Sequence, residues 1–389
     1  MATLSKQYAL LDFDPGNPLS VPVEPISVNV TVDETWAPYC QATVVIQNDI
    51  APYELDPRYA VFLGLRLQQD FGDLIYNYEL TADFGGDVSS ITAAYGGDVS
   101  NITAAGLMEV WRMSDFLHSA GTFNPAPSTV FDGYLMLRSV VKDYVSGQTT
   151  LELTSHEAIL QDSIGYPSDL IFTYTNLRDI INYVLASTIG AFTQLEPGAA
   201  NYTYSPAYGL KWFPNQTAWD ILNALVTAAN LVLYCDEAGK WFLNEATSTS
   251  GDLALKDDDN ITMLSTRIDR DNPSFFDYAL VEYQNSGSLP VYKSFGVSGF
   301  PISKDRYFLV ENVTPPAAPA NAAQAMVWRA VTRGITYSIE AINNFDARPR
   351  QNMTIDVTGE PVKTAIIQSI SWALPSARMS VDIRDLQEV

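Results

Sequence analysis

The sequence predicts a mainly β protein with an α+β middle, and three observations carry that expectation. Apolar and polar residues alternate with period two in run after run, as in Ile26-Ser27-Val28-Asn29-Val30-Thr31-Val32, the pattern of a half-buried strand. Aromatic residues, which suit a pleated surface, are plentiful: 21 Tyr, 17 Phe and 7 Trp in 389 residues. Helical periodicity is confined to a few segments, two of them close together in mid-chain. The length allows about two to four domains. A hydrophobic fraction of 47% with 17% charged residues belongs to an ordered chain rather than a disordered one.

Residues 1–25 carry Pro15, Gly16, Pro18, Pro22 and Pro25 and read as an extended N-terminal arm. Residues 26–35 and 36–47 read as a strand hairpin about Asp33-Glu34-Thr35, and 61–69 as a third strand through Leu63, Leu65 and Leu67. Gly85-Gly86-Asp87-Val88-Ser89-Ser90-Ile91-Thr92-Ala93-Ala94 recurs as Gly96-Gly97-Asp98-Val99-Ser100-Asn101-Ile102-Thr103-Ala104-Ala105. Two copies are too few for a solenoid, so 85–106 is expected to be a repeat-bearing loop. Its Asp87 and Asp98 lack the nonapeptide pattern of calcium β-rolls. Strands are expected again at 107–114, 130–141 and 144–156, so 26–160 reads as one β-barrel or sandwich domain.

The middle, 161–256, differs. In 176–189, Leu177, Ile180, Ile181, Val184 and Leu185 form the stripe of an amphipathic helix that Gly190 ends. In 215–229, Trp219, Leu222, Leu225, Val226 and Ala229 form a second stripe, with Asn215 or Thr217 as cap. Strands at 231–235 and 240–245 follow, about the turn Asp236-Glu237-Ala238-Gly239. Residues 253–261 read as a polar junction. Its Asp257-Asp258-Asp259-Asn260 run lacks the spacing, central Gly and distal Glu of a calcium loop.

The last part, 257–389, is expected to form a second β domain. It has a strand at 277–283, irregular chain from 284 to 320, a helix at 321–333 stopped by Gly334, and strands to the end. Two alternating runs flank Leu374-Pro375-Ser376-Ala377, a hairpin signal.

Catalytic and metal chemistry has little to stand on. The only histidines are His118 and His156, and His156 lies between Ser155 and Glu157, neighbours that point to opposite faces of a strand. No nucleophile elbow, phosphate loop or zinc-protease motif occurs. The expectation is no catalytic, cofactor-binding or metal site, no cofactor, and no enzyme. Cys40 and Cys235 are expected to be buried free thiols. The seven Asn-x-Thr sequons, at Asn29, Asn101, Asn201, Asn215, Asn260, Asn312 and Asn352, read as strand and strand-end residues, because no secretory leader is evident. No run is long enough for a membrane span, and no membrane insertion is expected. The net charge is −23; the last 69 residues balance seven basic against seven acidic side chains, so residues 1–320 carry the whole excess. Such a surface repels phosphate backbones.

From Ala218 onward, the chain resembles the hub proteins at the tip of long-tailed phage tails. The resemblance rests on Thr217-Ala218-Trp219-Asp220-Ile221-Leu222-Asn223-Ala224-Leu225 with the hairpin Leu231-Val232-Leu233-Tyr234-Cys235-Asp236-Glu237-Ala238-Gly239-Lys240-Trp241. It continues through Asp259-Asn260-Ile261-Thr262-Met263-Leu264-Ser265-Thr266-Arg267-Ile268-Asp269 and Ala279-Leu280-Val281-Glu282-Tyr283. The helix and strand across 322–342 and the final hairpin complete it. Phe131-Asp132-Gly133-Tyr134 and the first hairpin fit the family's first domain more loosely. Where that family usually carries a Gly-Asp turn, this chain has Arg348-Pro349-Arg350-Gln351-Asn352.

The resemblance implies two tail-tube-like β-barrel domains flanking a helix–hairpin domain. It implies a structural virion protein of the phage tail tip, or baseplate hub, assembled in the host cytoplasm. A homotrimer would then offer six barrels in a ring and adapt a sixfold tube to a threefold tip. Implied neighbours are a distal tail protein or tail tube above, fibre or tip proteins below, and a tape-measure protein in the lumen. DNA would pass without specific binding. Two alternatives remain open from the residues: a carbohydrate-binding β-sandwich module, suggested by the aromatic content, and a tail-tip cell-wall hydrolase using paired carboxylates.

Overall fold

The computed structural model describes residues 6–17, 19–49, 55–70, 74–76, 110–112, 128–164, 170–172, 174, 176–201, 210–229, 231–245, 249–257, 261–268, 270–271, 275–284, 289–299, 302–311, 322–331 and 335–388. The duplicated segment 85–106, His118 and the proline-rich run 314–320 lie outside them.

The protein is mainly β with few helices, built on a large, mostly antiparallel sheet. Its strands are β1 (Lys6–Asp12), β4 (Phe62–Asp70), β7 (Ser128–Asp143), β8 (Gln148–Thr154), β3 (Cys40–Gln47), β2 (Ser27–Asp33), β20 (Lys363–Leu374), β21 (Arg378–Glu388), β18 (Ile335–Ile342) and β14 (Ile261–Ile268), in that spatial order. The alternation read in the sequence sets the register. Val28, Val30 and Val32 are buried on β2, and Val30 faces Ala42 of β3, which faces Leu153 of β8. A slip of one residue would turn these side chains to solvent.

β20 joins the two ends of the chain. Along one edge, its first residues pair with β19 (Gln351–Asp356) and its last with β2; its other edge pairs with β21. Trp372 of β20 is buried against Phe131 of β7 and Phe345, with ring centroids 6.0 and 6.3 Å away, and its indole N–H donates to the Asn344 carbonyl at 2.9 Å. Residues from both outer thirds therefore share one hydrophobic core. The divisions expected at 160 and 256 follow the sequence, whereas strand pairing and packing run across them.

A second core gathers α1 (Glu157–Asp162), α2 (Leu177–Thr188), α3 (Ala218–Ala228) and the hairpin of β11 (Leu231–Cys235) with β12 (Trp241–Glu245). Against them pack β15 (Tyr278–Gln284), β16 (Val291–Gly296), β17 (Asp305–Glu311) and α4 (Ala322–Val331). Both long middle helices start where the sequence places a cap. Asn176 accepts the Asp179 N–H at 2.9 Å. Thr217 and Asp220 exchange reciprocal bonds, each 3.1 Å, in a capping box.

Four segments differ from expectation. Residues 6–12, read within the arm, form β1, because alternating Ala9 and Leu11 turn into the core while the strand pairs antiparallel with β4. The junction at 253–261 includes the end of β13 (Thr249–Lys256), whose Leu253 and Leu255 are buried and whose partner is the parallel strand β19. The irregular 284–320 segment contains β16 and β17, which flank β15 in a three-stranded sheet. In α3 and at its C-cap the expected Leu222, Leu225, Val226 and Ala229 are buried, together with Ala218 and Ile221, while the expected Trp219 is only half-buried. Two short pairs, β5 (Leu74–Tyr76) with β6 (Val110–Arg112) and β9 (Leu170–Phe172) with β10 (Leu210–Trp212), complete the described strands.

Candidate assembly surfaces

Among the described residues, no group of three or more His, Cys, Asp or Glu side chains is arranged to hold a metal ion. None of their helices is long and apolar enough to cross a membrane. His156 stands just before α1, its Nε2 3.1 Å from the Tyr134 carbonyl oxygen and its ring edge-on to Phe62 and Tyr134. Burial pushes its pKa down, which favours the neutral ring. Cys40 and Cys235 are free, buried thiols, as expected, and burial raises both well above the usual range. Asp257 accepts the Thr358 N–H at 2.8 Å and its hydroxyl at 3.2 Å, a turn role for part of the acidic run. Asn29 and Asn352 lie within β2 and β19, in keeping with the reading of those sequons as strand residues.

Several polar contacts fasten the two cores together. The β11–β12 turn docks on the large sheet: Tyr134 N–H donates to the Glu237 carbonyl at 2.7 Å. Arg348 donates to Glu237 Oε1 from Nε at 2.9 Å and Nη2 at 2.7 Å, and its guanidinium lies over Trp372 and Phe131. Gly239 has φ +83°, and a Cβ there would come within 2.8 Å of the His156 ring, so the turn requires glycine. Arg350 adopts φ 74° in the segment that departs from the phage-hub pattern. That conformation favours glycine; here its guanidinium packs over the Tyr234 ring at 5.6 Å.

Glu157 is fully buried at this junction and accepts the Cys235 N–H at 2.7 Å. Burial raises its pKa from 4.5 to about 7. Burial likewise raises Asp236 to about 6. Arg384 and Glu34 form a second connection inside the large sheet, with side chains 4% and 8% exposed and Nη2 3.1 Å from Oε2.

The surfaces left over are edges and faces of sheets. Among the described residues β14 pairs only with β18, so the long sheet is open at that end, whereas β1 pairs with β4 on one edge and bridges Val23 through Leu11 on the other. β14 exposes Met263 (46%) and Leu264 (39%), consecutive residues that point to opposite sides of an edge strand. On the three-stranded sheet, Ala279, Val281 and Tyr283 turn inward. The opposite face presents Tyr292, Tyr307 and Leu309, all about half exposed, around Glu282, which accepts the Tyr307 hydroxyl at 2.5 Å. Unpaired edges and apolar faces of this kind are sites of association.

Solved structures share this architecture over nearly its full length. A tail protein of Neisseria meningitidis MC58 superposes with a TM-score of 0.59 at 10% identity, covering 97% of this chain and 96% of its own. The 43 kDa tail protein of prophage MuSo2 from Shewanella oneidensis gives 0.56 at 13% identity, covering 97% and 98%. The prophage tail protein gp18 of Listeria monocytogenes EGD-e gives 0.50 at 7% identity, covering 97% and 94%. No family model and no curated protein matches the sequence. The chain thus has the fold of phage tail proteins, and it spans them from end to end.

Proposed function

We propose that this chain is a structural virion protein, a baseplate or tail-tip hub that closes or extends a phage tail tube. The observation that carries the reading is a sheet whose β14 edge has no partner strand among the described residues, in a chain with the tail-protein fold. In the assembled tip, the β14 edge of one copy lies against a neighbouring copy, and the exposed Met263 and Leu264 become contact residues. The strands before residue 160 and those after 257 then form two tube-like barrels per chain, with the residues between them as the α+β body. Three chains present six barrels in a ring, which matches a sixfold tube to a threefold tip. The Tyr292–Tyr307 face suits a neighbouring tail component: a distal tail or tube protein above, or a fibre or tip protein below. The ring encloses the tape-measure protein and then the exiting DNA. The role is architectural, without catalysis or cofactor.

Image averages of the tail tip are the test. Three copies per tip are expected; one copy, or six equivalent copies, overturns the reading. A chain carrying both Met263→Lys and Leu264→Lys should keep its melting curve and fail to enter tips, since charge on an edge strand blocks pairing.

A further inference from the structure

A pocket of about 290 Å³ opens where the two cores meet. Glu34 and Trp36, on the loop after β2, form one wall. Trp219, Asn223 and Thr227 of α3 line the other, and Arg384 of β21 joins them. The volume is at the small end of ligand sites, about 300–1,000 Å³. Trp36 is 48% exposed at the pocket and Trp219 is half-buried, so two indoles border one small polar space.

The chemistry of the lining narrows the ligand. Glu34 and Arg384 are the charged residues among those lining it, and they are paired with each other. An anion would meet the Glu34 carboxylate and a cation the Arg384 guanidinium, so the site favours a neutral ligand. A wholly apolar ligand would strip water from Asn223 and Thr227 without replacing its hydrogen bonds. A neutral ligand with one apolar face and a rim of hydroxyls meets both conditions. Indole supplies a broad flat surface for the apolar face. The Asn223 side-chain amide carries donors and an acceptor for hydroxyls. We infer that this pocket is a saccharide subsite for a neutral pyranose ring, stacked at Trp36 and hydrogen-bonded at Asn223.

Binding of this kind needs one chain and is read whether or not a ring forms. The full-length chain is titrated with maltotriose, with the trisaccharide of N-acetylglucosamine and with glucuronate, followed by calorimetry and tryptophan fluorescence. At least one neutral trisaccharide should saturate with a dissociation constant of order 1 mM. Trp36→Ala and Asn223→Ala, both at exposed positions, should weaken it roughly tenfold with unchanged thermal melts, while Trp36→Phe retains it. No saturable response to either trisaccharide overturns the inference. So does a response that Trp36→Ala leaves intact, or tighter binding of glucuronate than of the neutral sugars.

Discussion

Glu157 lies fully buried at the meeting of the cores, its Oε1 accepting the Cys235 N–H at 2.7 Å and the Tyr39 N–H at 3.4 Å. Its folded pKa of about 7 stands above the ordinary value of 4.5, so between those pH values the native state holds a proton that the unfolded chain has released. The stability tied to that proton is complete below about 4.5 and is lost as pH rises through about 7. The size is roughly 3 kcal/mol across the window, since each tenfold gain in proton affinity is worth about 1.4 kcal/mol. Asp236 acts in the same direction, more weakly, with its pKa raised to about 6. Glu157→Gln keeps an acceptor oxygen and cannot ionise. Its melting temperature should therefore depend less on pH between about 5 and 8 than the parent's; parallel curves for the two proteins would refute the assignment. Nothing in Thr154-Ser155-His156-Glu157 announces this position, because burial of an acid is a product of tertiary packing.

At the scale of elements, legibility followed locality. β2, β3, β20 and β21 alternate over one buried face and read directly, as do the two capped helices. α1 spans six residues, too few for a helical stripe. β13 and β17 pair in parallel with strands distant in the chain, a long-range choice that no hairpin signal records. β16 is exposed along most of its length, so it lacks the alternation that marks a half-buried strand. Along α3 and its C-cap the expected stripe is buried at Leu222, Leu225, Val226 and Ala229 and misses only at Trp219, which sits half-buried at its margin. Leu222→Ala should therefore cost about 2–5 kcal/mol, and Trp219→Ala distinctly less. Thr217→Ala, which removes one half of the capping box, should cost about 1 kcal/mol. Denaturant melts of the three variants check the ranking, and a Trp219 variant as damaged as the Leu222 one would contradict the observed packing.

For the whole molecule, the decisive feature is that the two ends of the chain meet in one sheet through β20, which no linear reading of domains anticipates. The pocket and the salt-bridged junction depend on that meeting, so they too were invisible in the sequence, although Trp36 and Trp219 stood out as individual aromatic residues. The charge distribution was legible and bears on the proposed passage of DNA through a ring. The net charge of −23 lies in residues 1–320, while the last 69 residues are balanced. The balanced residues include β18, β19, β20 and β21, so the acidic excess lies outside those strands. A basic lumen would hold phosphates through counterion release, each contact adding affinity, and would stall a moving polymer. An acidic or neutral wall leaves the polymer hydrated and repelled toward the axis. The assembled ring should therefore fail to retain duplex DNA even at low salt, where electrostatic attraction is least screened. Electrophoretic mobility at about 10 mM salt, a condition with a Debye length of about 30 Å, is the measurement. Retention that weakens steeply as salt is added would mean a phosphate-binding wall and would replace the conduit with a nucleic-acid-binding role.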